Sequence, residues 1–255
     1  MSESTLMGNQ VTEAEVTQVP AVPFTSTFHP VHHKQVIDAV RTGISLTGME
    51  VVQSQYVLAR DGMQMFGVWD LNAGNTDLCW SLGIRNSMDK SLALGITAGT
   101  KVFVCDNLAF DGEYLTFRKH TNGLDNDELE FLAYKSMKNM VPRLVSFQKW
   151  HEGLRNYELT EQEAKILLVE VLSDSVFPAS KFNSFRDLYF GGVYEPTLWG
   201  FHEAVTDILR GSNLITLPKK NQLLNNAING FIDNMLSDAP SELGDFYEQR
   251  CLNQS

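Results

Sequence analysis

The spacing of apolar residues changes just after Asn122-Gly123, where a strand-rich stretch gives way to a helical one. Before it, Val36, Ile37, Val40 and Ile44 recur at helical spacing and predict a first helix over Val31–Ser45, closing near Gly48. Glu50–Ala59 and Met63–Leu71 flank Arg60-Asp61-Gly62, a hairpin signal. Along the first of these strands Val52, Ser54, Tyr56 and Leu58 form the more apolar face, which is expected to meet the core. Leu78–Ile84 and Lys101–Cys105 read as further strands, with a short helix between them capped by Ser87 and broken by Gly95 and Gly99. Phe110-Asp111-Gly112 then turns the chain into a strand over Glu113–Arg118.

Beyond residue 125 Leu129, Leu132, Met137, Met140, Val141, Leu144 and Val145 predict one long helical stretch that Pro142 kinks or restarts, because proline lacks the amide donor. Thr160-Glu161-Gln162-Glu163 is a capping box ahead of Ile166, Leu167, Leu168, Val171 and Leu172. Further helices are expected near Pro196–Arg210 and Lys219–Leu236. The fold class is therefore α+β: an antiparallel sheet over about 49–121, preceded by one helix and followed by a mainly helical C-terminal half. One domain is expected over 27–236, its sheet part over 27–124 and its helical part over 125–236. Residues 1–26, rich in Ser, Thr, Glu, Gln, Val and Pro without periodicity, read as a disordered arm, and 237–255 as a loose tail.

Charge changes this picture only in its middle. The net charge is −11. It divides as −5 over residues 1–80, +1 over 81–155 and −7 over 156–255, so only the middle third is fit to gather a basic patch. The three cysteines are an odd number, and two of them lie in apolar runs, which suits reduced thiols in the cytoplasm. No secretory signal is expected, and no apolar run reaches the ~20 residues a membrane helix needs.

The chemistry worth weighing is concentrated over residues 80–121. Arg85, Asn86, Ser87, Asp89, Lys90 and Ser91 fall between two apolar runs, and Cys105, Asp106 and Asn107 end another. Asn86, Ser87, Asp89 and Asn107 read as a structural polar cluster, with Asp89 pairing with Arg85 or Lys90. Cys105 with Asp106 beside it and His120 a strand later is the candidate nucleophile, against its plainer role as a small apolar residue. Arg85, Lys90, Lys101, Arg118, Lys119 and His120 are candidate phosphate contacts, with Trp80, Phe110, Tyr114 or Phe117 available to stack on bases. The spacing supports no metal site and no cofactor. Cys79 and Cys105 lack a close Cys or His partner, His32 and His33 diverge by about 100° on a helix, and a Cys105, Asp106, His120 and His29 cluster could arise only through folding.

Gly83-Ile84-Arg85-Asn86-Ser87, Asp89-Lys90-Ser91, Val102–Leu108 and Lys119-His120-Thr121 resemble the family known as domain of unknown function 932, and Leu198-Trp199-Gly200 with Ala204-Val205-Thr206 resembles its C-terminal helix. The resemblance spans about residues 28–210. It implies a role in the biology of phages, plasmids and other mobile elements, and it brings no catalytic residues. A helix followed by a hairpin and antiparallel strands is also similar to the single-strand annealing proteins of phage and eukaryotic recombination, by fold analogy. The expected function is a non-catalytic single-stranded DNA-binding or annealing protein, cytoplasmic and homo-oligomeric, with no membrane association. The alternatives are a module that binds a host or phage protein and counters a host defence system, and a cysteine-dependent enzyme using Cys105 and His120.

Overall fold

A computed structural model describes residues 10–26, 28–74, 78–102, 108–110, 115–118, 126–213 and 216–238. It bears out the α+β class: an antiparallel sheet, with the helices mostly in the C-terminal half. The chain runs through β1 (Gln10–Val11), α1 (Glu13–Thr17), α2 (His33–Ser45), β2 (Val51–Ala59), β3 (Gln64–Gly74), β4 (Leu78–Ser87) and β5 (Leu94–Val102). It continues through β6 (Leu108–Phe110), β7 (Leu115–Arg118), α3 (Asn126–Gly153), α4 (Glu161–Ser173), α5 (Phe182–Phe185), a π-helical turn at Arg186–Phe190, α6 (Leu198–Leu209) and α7 (Leu217–Asp238). The strands lie in the order β1-β2-β3-β4-β5, and β6 and β7 both pair with the far edge of β5, one at each end. No helix among the described residues is long and apolar enough to cross a membrane.

The β2–β3 hairpin forms where Asp-Gly predicts it. Asp61 and Gly62 both adopt positive φ, and the Met63 amide bonds to the Arg60 carbonyl at 2.9 Å. Tyr56 and Leu58 do face the core, but Val52 is 69% exposed. A register shift between Val51 and Gln53 is the reason: it turns Val52 outward and lets Val51 pack on the core instead.

Three further expectations differ from the structure. Residues 88–93 form bends rather than a short helix, and Gly95 and Gly99 lie inside β5. Gly99 stands there because a Cβ would fall 2.4 Å from the Ala109 carbonyl oxygen and 2.8 Å from the Phe110 ring. Pro142 sits inside α3, which continues past it, so of the two expected outcomes the start of a new helix does not occur. The arm holds β1 and α1 from residue 10 onward, where the capping box of Thr12 and Glu15 starts α1. Arg41 of α2 grips Glu13 with two hydrogen bonds of 3.0 and 2.7 Å, and the Tyr56 hydroxyl donates to the same carboxylate at 2.8 Å.

That carboxylate gives the first prediction. The Arg41 hydrogen bond holds the Glu13 carboxyl below its ordinary value, despite opposing burial. A depressed carboxyl stabilises the fold above its unfolded pKa of about 4.3, and the contribution is lost as pH falls through the folded value. With solvent screening it amounts to about 1 kcal/mol or less. Glu13→Gln should therefore lower stability slightly at pH 7 and flatten the acid limb between about pH 5 and 3, read by urea melts at each pH.

Two apolar clusters sandwich the sheet. On one face Met65, Trp69, Leu71, Leu82, Ile84, Leu94, Ile96 and Ala98 pack under α2 and α3. Gly43 lets those helices meet, since a Cβ there would lie 2.9 Å from the Ala133 backbone. The second cluster is the core of the helical half, α4 to α7, and Val68, Leu78 and Phe110 join it to the sheet. Asn225 of α7 fastens this junction by donating to the Phe110 carbonyl at 3.1 Å.

Candidate functional site

Ionisable and hydrogen-bonding groups gather in three places, each set by strand register or helix entry. The first lies on the sheet face opposite α2 and α3. Register places Asp70 against Ser81 and Cys79 against Lys101. Lys101, only 4% exposed, bonds to Asp70, which is 7% exposed, and Ser81 donates to the other Asp70 oxygen at 2.8 Å. Lys101 thus leaves the set of phosphate contacts expected from the sequence, because its ammonium is buried against a carboxylate. Burial, then the charge of Asp70, pushes the Cys79 thiol up. Cys79 should therefore label with iodoacetamide only as fast as the protein unfolds near neutral pH, followed by mass spectrometry.

The second place is the bend after β4 and the loop before α2. Asn86, fully buried, donates to the Val31 carbonyl and to Nδ1 of His33, both at 2.9 Å. His33 in turn bonds to the Gly62 carbonyl at 2.8 Å, so its proton sits on Nε2. His32 caps α2, accepting from the Lys34 amide at 3.1 Å, and the two histidines do not share a ligand position. Ser87 closes the bend by bonding both to the amide and to the carbonyl of Leu92. Asp89 accepts from the Ser91 amide and hydroxyl; burial opposes its ionisation, but these bonds with those of Arg60 and Ser87 outweigh it and hold its carboxyl below the ordinary value. Its ionic partner is Arg60 at 3.3 Å, not Arg85 or Lys90 as expected, because the bend brings Asp89 back over the β2–β3 turn. Arg85 donates through Nε to the Ala93 carbonyl at 3.1 Å.

Lys90 stands apart. It is exposed, has a positive φ of 67°, and carries its ammonium 4.9 Å from the centre of the Phe28 ring. Four residues before Phe28, Phe24 is 75% exposed and stacks on His29 with ring centres 5.4 Å apart. Thr25 and Phe28 bridge to one another and hold this turn closed. Arg60, its side chain 65% exposed, reaches the same bend through Asp89. Of the other expected contacts, Arg118 pairs with Leu94 at the end of β7, and its side chain lies outside the described residues. Cys105, Asp106, Asn107, Lys119 and His120 lie outside them entirely.

The third place joins the sheet to the helical half, and sequence reasoning missed it. His151 ends α3. His202 and Glu203 lie in α6, whose entry is set by Thr197 capping Gly200 at 3.0 Å and by the Glu158–Thr197 bridge. All three residues are buried. His151 Nε2 is 3.1 Å from His202 Nδ1 and 3.2 Å from Glu203 Oε1, and its Nδ1 meets the Thr100 hydroxyl at 3.1 Å. Trp199 stacks on His151 at 4.2 Å, with the Arg155 guanidinium 4.0 Å over the other side of the stack. Burial, and His202 beside it, pushes the His151 imidazole down to about 4. Burial opposes ionisation of Glu203, but the imidazoles of His151 and His202, 3.2 and 3.6 Å from its Oε1, outweigh it and hold the carboxyl below the usual range. Thr100, His151 and Glu203 follow the order of a nucleophile, a base and an orienting acid, but the Thr100 hydroxyl is fully buried and offers a substrate no approach. The one sequence signal was a His-Glu pair inside the otherwise apolar run from Leu198 to Val205.

Comparison with protein-family models, with curated proteins and with solved structures finds no match to this chain.

Proposed function

We propose that this is a non-catalytic single-stranded DNA-binding protein of a mobile element, acting in the cytoplasm and gripping DNA beside Phe24 and His29 and at the bend around Lys90. The observation that carries the reading is the pairing there of an exposed stacked aromatic with exposed cations. Phe24 offers an exposed ring stacked on His29, while Lys90 lies on the adjoining bend and Arg60 reaches that bend from the β2–β3 turn. Bases stack on such a ring whatever their identity, and the cations track the backbone. The resemblance of residues 83–87, 89–91, 102–108 and 119–121 to the mobile-element family supports the same reading, and annealing would engage more than one copy of the chain.

The test is anisotropy of a labelled thymidine oligonucleotide, single-stranded and as duplex, across a salt series. Single strands should bind more tightly. Phe24→Ala should cost about 1–3 kcal/mol, the worth of one stacked base. Lys90→Gly is the sharper variant, because glycine relieves the positive φ while removing the ammonium. It should melt no lower than the parent, bind DNA more weakly and flatten the salt slope by about one unit. Equal affinity in that folded variant would sink the site.

A module that docks a host or phage protein is the second reading. It is favoured by Ile166 and Val169, 57% and 64% exposed and one helical turn apart on α4. A copurifying partner lost from an Ile166→Glu, Val169→Glu double variant, with DNA binding absent from the parent, would replace the first reading with this one.

A further inference from the structure

We propose that His151, His202 and Glu203 form a binding site for a divalent transition-metal ion of the zinc class, which ties α3 and α6 to the sheet. The proposal is independent of where DNA binds.

The first argument is the shape of the donor triangle. His151 Nε2, His202 Nδ1 and Glu203 Oε1 are separated by 3.1, 3.2 and 3.6 Å. Ligands held at about 2.0–2.1 Å in a tetrahedron stand about 3.3–3.4 Å apart. The three atoms therefore already occupy one face of such a coordination shell. Adjacent helical residues point about 100° apart, so the convergence is not given by the helix alone. It arises because His202 offers Nδ1, the nitrogen nearest its backbone, while the longer Glu203 side chain bends round to meet it.

The second argument counts protons. Each of the three atoms can present a lone pair to the centre of the triangle. When Thr100 donates its hydroxyl proton to His151 Nδ1, the proton on His151 Nε2 is directed at His202 Nδ1, 3.1 Å away, with Glu203 Oε1 beside it at 3.2 Å. A second proton, placed on His202 Nδ1, would oppose the first across 3.1 Å. The three converging atoms thus cannot each bring a proton to the triangle, and lone pairs crowded together in a dry interior are costly. A cation satisfies all three together, and two imidazoles with one carboxylate are a zinc donor set.

The surroundings suit a ligated histidine. With Nε2 on the metal, His151 would keep its proton on Nδ1 and donate it to Thr100 Oγ1, the outer hydrogen bond that orients a metal-bound imidazole. Phe147, Trp150 and Trp199 wall the cluster with aromatic rings. Thr100 belongs to β5, His151 to α3 and the other two residues to α6, so one ion would cross-link segments about fifty positions apart in sequence. Three protein ligands leave a fourth position for water. Because the site is buried, the ion is assigned to holding the fold rather than to chemistry on a substrate.

The experiment uses the full chain without a histidine tag, produced in zinc-supplemented medium and purified without chelator. Elemental analysis should find about one zinc per chain. Removal by a strong chelator should lower the melting temperature, and zinc should restore it. Cobalt substituted for zinc should show a tetrahedral d–d absorption without a sulfur charge-transfer band, which distinguishes this site from one built on the cysteines. Thr100→Val, which keeps the volume and removes the outer hydrogen bond, should weaken zinc affinity about tenfold or more. Glu203→Gln should lose the ion outright. Should Glu203→Gln fail to fold, the parent's cobalt spectrum and the Thr100→Val affinity still decide. Parent protein that is folded, holds under a tenth of an equivalent after zinc loading and dialysis, and melts unchanged with chelator would overturn the proposal. So would thiolate bands in the cobalt spectrum.

Discussion

Asp70→Ala should lower the unfolding free energy by about 3–5 kcal/mol, the usual cost of stranding one member of a buried ion pair. Lys101 and Asp70 are both buried on the sheet face away from α2 and α3, and Ser81 occupies the second carboxylate oxygen. Removing the carboxylate leaves a buried ammonium without this counter-ion, and it takes the acceptor away from the Ser81 hydroxyl. The mirror variant Lys101→Met should cost less, since Asp70 keeps Ser81. The double variant Asp70→Leu, Lys101→Met should recover much of the loss, because a pair of apolar residues of similar volume often matches a buried ion pair in stability. Urea melts of the parent, Asp70→Leu, Lys101→Met and the double variant complete the cycle, and an additive result would mean that the two charges do not interact.

Gly99→Val should be the most damaging exchange at a glycine, at about 3 kcal/mol or more, the upper end of overpacking. The obstacle is backbone rather than a yielding side chain: the new Cβ would sit 2.4 Å from the Ala109 carbonyl oxygen and 2.8 Å from Phe110. β6 must then leave β5, and Phe110 withdraws from the junction with the helical core that Asn225 fastens. Gly230→Ala in α7 is the control. A methyl group there would meet nothing within 4 Å, so the exchange should stabilise by up to about 1 kcal/mol through helix propensity. Thermal melts of the two variants should move in opposite directions.

What could be read from the chain alone was whatever rests on neighbours in sequence. The period of apolar residues located α2, the β2–β3 hairpin and the helical half. Asp61-Gly62 marked a turn because few other pairs accept two positive φ values, and Thr160 with Glu163 marked a helix start because each caps the other's amide. Those are local energies, and local patterns report them. Gly95 and Gly99 misled because a glycine signals equally a helix break and a strand against which another backbone presses. Only the arrival of β7 beside Gly95 and of β6 beside Gly99, both from further along the chain, decides between the two. Lys101 reads in the sequence as a surface cation because its partner, Asp70, is 31 positions away and is brought to it by strand register. The arm's order likewise depends on Arg41 reaching back to Glu13. The histidine–glutamate cluster was the least legible of all, since His151 and His202 carry no shared period or motif. Their meeting depends on where α6 enters over the end of α3, and that is a matter of packing between helices, which only the tertiary structure settles.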